Sequence, residues 1–352
     1  MLDNVTPIRS APAPALAPVL GAVARRERIA RNAVRYFAFL FIALALVFAA
    51  IAAVLQDVFF FRLATEALIY GGFAMGVDLL LGFAGLLSLG HALFFGLGAY
   101  VSGLVLKEWT ASFWLALGVT LAASTVAGAV AGIIAIRARG VYFALITFGL
   151  AEVVSKVVFN TRELGGSDGI IGIPVVQADF LLFTVDSSNA ASFFLLVLAL
   201  VMAMYFALEA LLQTPAGRLV VAIKANEHRV PFLGFSAQRY KLLAFILAAN
   251  VTAMAGSLYP MLRGFVSPEL MFFQASGNAV ITVILGGVGT LIGPLYGSVI
   301  LSALKSVVGS YTEHHLIIIG VLFMISVIFF PKGLIGYLRP RLEAWLSRKE
   351  QR

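Results

Sequence analysis

YFAFLFIALALVFAAIAAVL, residues 36–55, contains no charged residue. The hydrocarbon core of a bilayer is about 30 Å thick and a helix rises about 1.5 Å per residue, so about 20 apolar residues span it. The rest of the chain agrees. Of its 352 residues, 61% are hydrophobic and 12% charged, whereas soluble globular chains carry about 25% charged residues. The mean hydropathy is +1.00. Apolar blocks of helical length recur near 64–83, 86–106, 112–136, 141–159, 190–212, 240–261, 270–287, 290–308 and 315–331. The expectation is an all-α, polytopic transmembrane bundle of about ten spans. A transmembrane β-barrel would instead alternate in segments of roughly ten residues.

Charge placement gives the topology. Residues 1–35 hold six Arg, Arg137 and Arg139 lie together, 213–241 holds five basic residues and 332–352 six more. With ten spans these four segments fall on the same side, which the positive-inside rule assigns to the cytoplasm. Most acidic residues lie elsewhere. The net charge of +8 is thus a topology signal, and without an aromatic-basic platform it argues against nucleic acid as a partner. The expected organisation is a flexible basic cytoplasmic leader at 1–35, a permease domain at 36–338 and a cytoplasmic tail at 339–352. Within the domain, 160–189 is read as a periplasmic loop and 213–240 as a cytoplasmic one. No cysteine is present, which excludes disulfides and thiolate metal sites.

Two apolar stretches carry helix breakers. Leu270–Leu304 is uncharged over 35 residues, over 50 Å as a straight helix at about 1.5 Å per residue. It must therefore break, and LGGVGTLIGPLYG (285–297) marks the place with Gly286, Gly287, Gly289, Gly293 and Pro294. Asp78–Lys107 is comparable, with Gly82, Gly85 and Gly90 in its first half. LGFAGLL from Leu81 and LGGVGTL from Leu285 share the pattern L-G-x-x-G-x-L, a faint internal repeat. Two functions suit such glycines. Small residues let helices approach closely, and interrupted helices offer free backbone groups to a solute where they line a cavity.

Side-chain chemistry is sparse. Glu66, Asp78, His91, Glu152, Lys156, Glu209 and Lys305 are the ionisable residues within apparent spans. Asp78, Ser88 and His91 flank the first break, and intramembrane ionisable groups are functional candidates. Ser88 lacks a G-x-S-x-G surround, His314–His315 with Glu313 is too little for a metal site, and no phosphate-binding G-x-x-x-x-G-K-[ST] occurs. Catalytic and metal residues are therefore expected to be none, and any ATP must be hydrolysed by another chain. The polar loop 213–245 offers Leu219, Val220 and Ile223 against Arg218, Lys224 and Glu227. This is either a basic helix on anionic lipid or a helix that docks in a groove of a cytoplasmic motor.

Four ordered motifs, LLLGFAGLLSLGHALFFGLGAY (79–100), TRELGGSDGIIGIP (161–174), GRLVVAIKANEHRVPFLGFSAQRYKLLAF (217–245) and FFPKGLIGYL (329–338), together resemble the LivM-type permeases of bacterial branched-chain amino acid ABC importers. The resemblance covers about residues 36–340, and the urea and amide permeases look similar. It implies a multi-pass inner-membrane chain with a LivH-like second permease subunit, two cytoplasmic ATPase subunits that bind the ATP and Mg, and a periplasmic substrate-binding protein. No cofactor is implied in this chain. Gly217, Arg218, Lys224, Glu227 and Gly234 match the ATPase-coupling segment. Asp78, Gly82, Gly85, Ser88, Gly90, His91, Gly286, Gly287 and Gly289 are the expected substrate pathway. Where many members are expected to carry Asn after AMGV, this chain has Asp78, which bears on cargo more than on fold. An ion-coupled secondary transporter is the alternative from outside the family.

Overall fold

The computed structural model describes residues 16–179, 184–311 and 333–349, together with residues 317, 318, 320, 321, 324, 328 and 329. Most of the expected span 315–331, and the Glu313–His315 cluster, lie outside the described residues. The elements are helices α1 (Leu16–Leu55), α2 (Val58–Asp78), α3 (Ala92–Leu104), α4 (Phe113–Ala135) and α5 (Val141–Asn160), followed by strands β1 (Ile170–Ile171), β2 (Gln177–Asp179) and β3 (Thr184–Asp186). Then come α6 (Ala190–Gln213), α7 (Pro215–Ala225), α8 (Ala237–Ser257), α9 (Tyr259–Arg263), β4 (Phe265–Val266), α10 (Phe273–Gly286), α11 (Gly293–Tyr311) and α12 (Gly333–Lys349).

Among the described residues, six helices are long and apolar enough to cross a membrane. They are Asn32–Leu55, Val58–Ala84, Phe113–Ala135, Val141–Asn160, Ala190–Gln213 and Ala237–Arg263. The chain is a polytopic helical membrane protein. α3, α10 and α11 fill the other expected blocks with interrupted or shorter helices. One expectation differs: α1 begins at Leu16, so residues 16–35 of the anticipated flexible leader are helical. Their Ala, Arg, Leu and Glu are strong helix formers, and they extend a helix already nucleated by the apolar run.

α2 and α8 form the centre. α2 packs on α6, α8, α10 and α11, and α8 packs on α2, α3 and α4. α2 is almost wholly buried, while α1 exposes Phe39, Leu44, Val47, Ile51 and Val54 along its outside. An apolar face of this kind is what lipid solvates. α3 meets α8 through small residues: a Cβ on Gly98 would overlap the Ala253 carbonyl, and one on Gly256 would overlap the Phe95 carbonyl. Lipid gives helices no hydrophobic drive to associate, so such close backbone approach is what holds them together.

The polar segments sort to two ends. At one, Glu227 receives Lys241 Nζ at 2.6 Å and lies 3.9 Å from Arg139 Nη2. Arg35 pairs with Glu209 at 2.7 Å near the end of α6, and Lys224 shares a groove with Arg339 and Glu343 of α12. All four basic segments of the sequence are thus represented at one end. At the other, β1 pairs antiparallel with β4, Ile170 opposite Val266, and β2 pairs with β3. Trp114 Nε1 donates to the Asp179 carbonyl at 2.9 Å, which pins this loop over α4.

Candidate functional site at the junction of two interrupted helices

Both expected breaks are present, and they meet. α2 does not stop at Asp78 but widens into a π turn over Leu79–Ala84, then turns at Gly85 with φ +72°. The chain returns through 86–91 without regular helix before α3 begins. The second break is the turn 287–292 between α10 and α11. The shared pattern has a conformational counterpart, since Gly85 (φ +72°) and Gly289 (φ +75°) occupy the same repeat position in the same left-handed conformation. Only glycine takes this conformation at little cost.

Asp78 ties the two together. It is completely buried; Gly289 N–H donates to its Oδ1 at 2.7 Å and Leu291 N–H to its Oδ2 at 2.9 Å. The turn is completed by Thr290, whose hydroxyl donates to the Gly287 carbonyl at 2.7 Å and accepts from Gly293 N–H at 3.0 Å. Leu291 has a positive φ of 55°, an unfavourable state for a residue with a side chain, and its bond to Asp78 helps hold it there. A carboxylate suits this place better than an amide. It presents acceptors to both N–H groups, whereas an asparagine would turn an NH2 toward one of them. The close approach also needs Gly82, because a Cβ there would collide with Asp78 Oδ1 and the Gly289 backbone.

A third element reaches the junction. Lys224, in the last turn of α7, donates from Nζ to the Gly82 carbonyl. Its stem lies over Gly85, where an added Cβ would approach Lys224 Cγ to 2.9 Å. α7 itself is fixed at its start by Thr214, whose hydroxyl accepts from Gly217 N–H at 3.2 Å. Gly217 is buried against the end of α6. Residues of the expected pathway and of the expected coupling segment therefore share one cluster: Asp78, Gly82, Gly85, Gly289 and Lys224.

The other expected residues lie apart from it or only beside it. Gly286 and Gly287 form the α10 end of the turn. Ser88, Gly90 and His91 sit in the return segment, packed against other helices. Leu89 N–H donates to Thr147 Oγ1 at 3.3 Å, Gly90 abuts the Thr147 carbonyl, and Ala92 N–H donates to Ser276 Oγ at 2.9 Å. His91 is fully buried, edge-on to Phe94 and Phe245. Its ring also faces the Ala248 main chain, and Ser88 Oγ meets no hydrogen-bond partner among the described residues. In the coupling segment Arg218 is exposed on α7, Glu227 anchors the following turn, and Gly234 (φ +80°) ends it. The anticipated apolar docking face is spent internally: Val220 and Ile223 are buried against the protein itself. The most exposed apolar residues of the segment are Phe232 (90% exposed) and Leu233 (68% exposed) at the loop tip, ahead of Val221 and Phe235.

A cavity of about 960 Å³ lies among α2, α9, α10 and α11, and no motif in the sequence marks it. Its mouth is at the end carrying the β1–β4 pair, where Phe265 and Ser267 line it. Phe73, Thr282 and Ser298 are its most buried lining residues. Phe73 precedes Asp78 by five residues on α2, about 7.5 Å at a rise of about 1.5 Å per residue. The junction thus lies just beyond the chamber floor. A signal was available: Glu66 and Lys305 both line the chamber and were visible as charges within apolar runs.

Comparison with known proteins agrees with this architecture. The family model described as branched-chain amino acid transport system / permease component matches residues 59–327. The high-affinity branched-chain amino acid transport system permease protein LivM of Salmonella typhimurium is 31% identical over 301 residues, covering 80% of this chain and 71% of that protein. The protein of the same name from Escherichia coli is 30% identical over the same length. The Salmonella typhimurium permease protein LivH is 22% identical over 300 residues, covering 78% of this chain and 92% of its own. No solved structure gives a significant match.

Proposed function

The chain belongs to the family of permease components of branched-chain amino acid transport systems, and from that premise we propose that it is the LivM-like half of an ABC importer for branched-chain or other hydrophobic amino acids in a bacterial inner membrane. A LivH-like chain completes the pore, two ATPase chains bind the ATP and Mg, and a periplasmic protein delivers the solute. The bundle has about ten spans, as its apolar blocks require. Both termini and the α7 loop are cytoplasmic, and the 160–189 loop is periplasmic, which places the chamber mouth where a binding protein arrives. Grouping of the basic segments at one end supports this orientation,.

The observation that carries the mechanism is Lys224 joined to Gly82, on the π turn that continues α2 beyond the chamber-lining Phe73. In this conformation the chamber opens outward and the Asp78 clasp closes its inner end. ATP binding draws the motor chains together, and Phe232 and Leu233, seated in a motor groove, carry α7 with them. α7 moves the π turn through Lys224, the two breaks part, and access passes to the inside. The motor's work is thereby converted into a change of backbone contacts at membrane depth.

The test is uptake into vesicles holding the assembled complex, with internal ATP supplied or withheld and with leucine, isoleucine, valine, phenylalanine and urea as solutes. ATP-dependent leucine uptake that requires the binding protein is the expected result. Gradient-driven uptake by this chain alone would contradict the reading, and uptake confined to urea would replace the cargo.

A further inference from the structure

The outer chamber contains more charge than a passive vestibule requires. Arg62, Glu66, Arg263, Glu269 and Lys305 all line it. Arg263 and Glu66 form an ion pair, but Lys305 makes no ion pair or hydrogen bond among the described residues. Lys305 is half-buried on α11, directly after the 35-residue uncharged run. A lone ammonium at such a depth is costly unless it meets a counter-charge. It faces Glu66 through the electrostatics of the chamber, yet Glu66 is committed to Arg263. Tyr70 and Phe73 of α2, and Leu301 one turn from Lys305 on α11, give the chamber an apolar lining.

We propose that this chamber is a transit site for a zwitterionic amino acid, in which Lys305 receives the carboxylate, Glu66 receives the ammonium, and Tyr70, Phe73 and Leu301 receive the apolar side chain. The inference rests on the importer reading and assigns its cargo a place. Three cations against two carboxylates make the chamber attract an anionic group, so an amine without a carboxylate is rejected and an uncharged amide gains little. Arg263 holds the Glu66 carboxylate in place until the solute's ammonium shares it. The volume lies at the upper end of about 300–1,000 Å³ typical of small-molecule pockets, so the solute is held loosely, as a site of passage requires.

The chain has no native cysteine, so Ser302→Cys and Ser306→Cys each place a single reporter thiol in the chamber lining. The assembled complex in vesicles is treated from the outside with a membrane-impermeant thiol reagent, and ATP-driven leucine uptake is measured on the same vesicles. Both reporters should be labelled, and leucine should slow labelling while leucinamide, isoamylamine and urea should not. Adding Lys305→Gln should raise the half-protecting leucine concentration at least about tenfold, the loss of one charge-assisted hydrogen bond. Lys305→Arg should restore most of the protection. Thiols that cannot be labelled, leucine that fails to protect while uptake persists, or protection unchanged in Lys305→Gln would each overturn the site and leave the importer standing. Absence of ATP-driven leucine uptake in the cysteine variants and in the wild type alike would overturn both.

Discussion

Replacing Asp78 with alanine is expected to destabilise the protein by about 2–6 kcal/mol, because two buried N–H groups lose their acceptor at about 1–3 kcal/mol each. Those donors, Gly289 and Leu291, belong to a turn with left-handed φ at residues 289 and 291, so the loss extends beyond hydrogen bonding to a conformation left to the Thr290 bonds alone. Thermal unfolding of the purified complex measures it. Asp78→Asn should fall between alanine and the wild type, since one oxygen remains an acceptor while the amide nitrogen opposes a donor. Were Asp78 only a solute contact, alanine would alter uptake and leave the unfolding midpoint in place.

The second large effect is expected at the α3–α8 contact. Gly98→Leu should prevent accumulation of folded protein in the membrane, because its Cβ would run into the Ala253 main chain rather than a movable side chain. Overpacking of this kind costs about 1–3 kcal/mol even where side chains can give way, and here the backbones of two helices must separate. Gly118→Ala is the matched control. Nothing lies within 4 Å of its Cβ position, and replacing an exposed helical glycine by alanine is worth about 1 kcal/mol in favour of the helix. Quantifying each variant in detergent extracts by size-exclusion profile separates the two roles of glycine. A monodisperse Gly98→Leu protein at wild-type yield would refute the packing argument.

These glycines show how far the sequence could be read. The breaks at 82–90 and 286–294 were legible because glycine and proline clustered where a continuous helix would outrun the bilayer. Their contact with each other was not, since Asp78 and Gly289, 211 positions apart, share no local signal of pairing. Asp78 announced itself as a charge in an apolar setting, but burial with two backbone donors makes it a clasp, a distinction that depends on tertiary neighbours. His91 and Ser88 drew attention for the same reason, yet they are packed beside Thr147, Phe94 and Phe245, away from the clasp. In the coupling segment the amphipathic pattern was real. It could not reveal that Val220 and Ile223 of α7 turn inward while Phe232 and Leu233 at the loop tip stand exposed. The helical start at Leu16 was hidden by an Ala- and Pro-rich stretch just upstream.

The central claim is that α7 acts on the interrupted helices through Lys224. The most direct measurement is of leucine uptake and ATP hydrolysis together, in vesicles carrying the assembled complex with Lys224 or Lys224→Met. Methionine keeps an unbranched side chain over Gly85 and removes the donor to Gly82. The account predicts that hydrolysis continues while uptake per ATP falls at least about tenfold, the loss of a charge-assisted bond. Uptake per ATP equal to that of the wild type would contradict it.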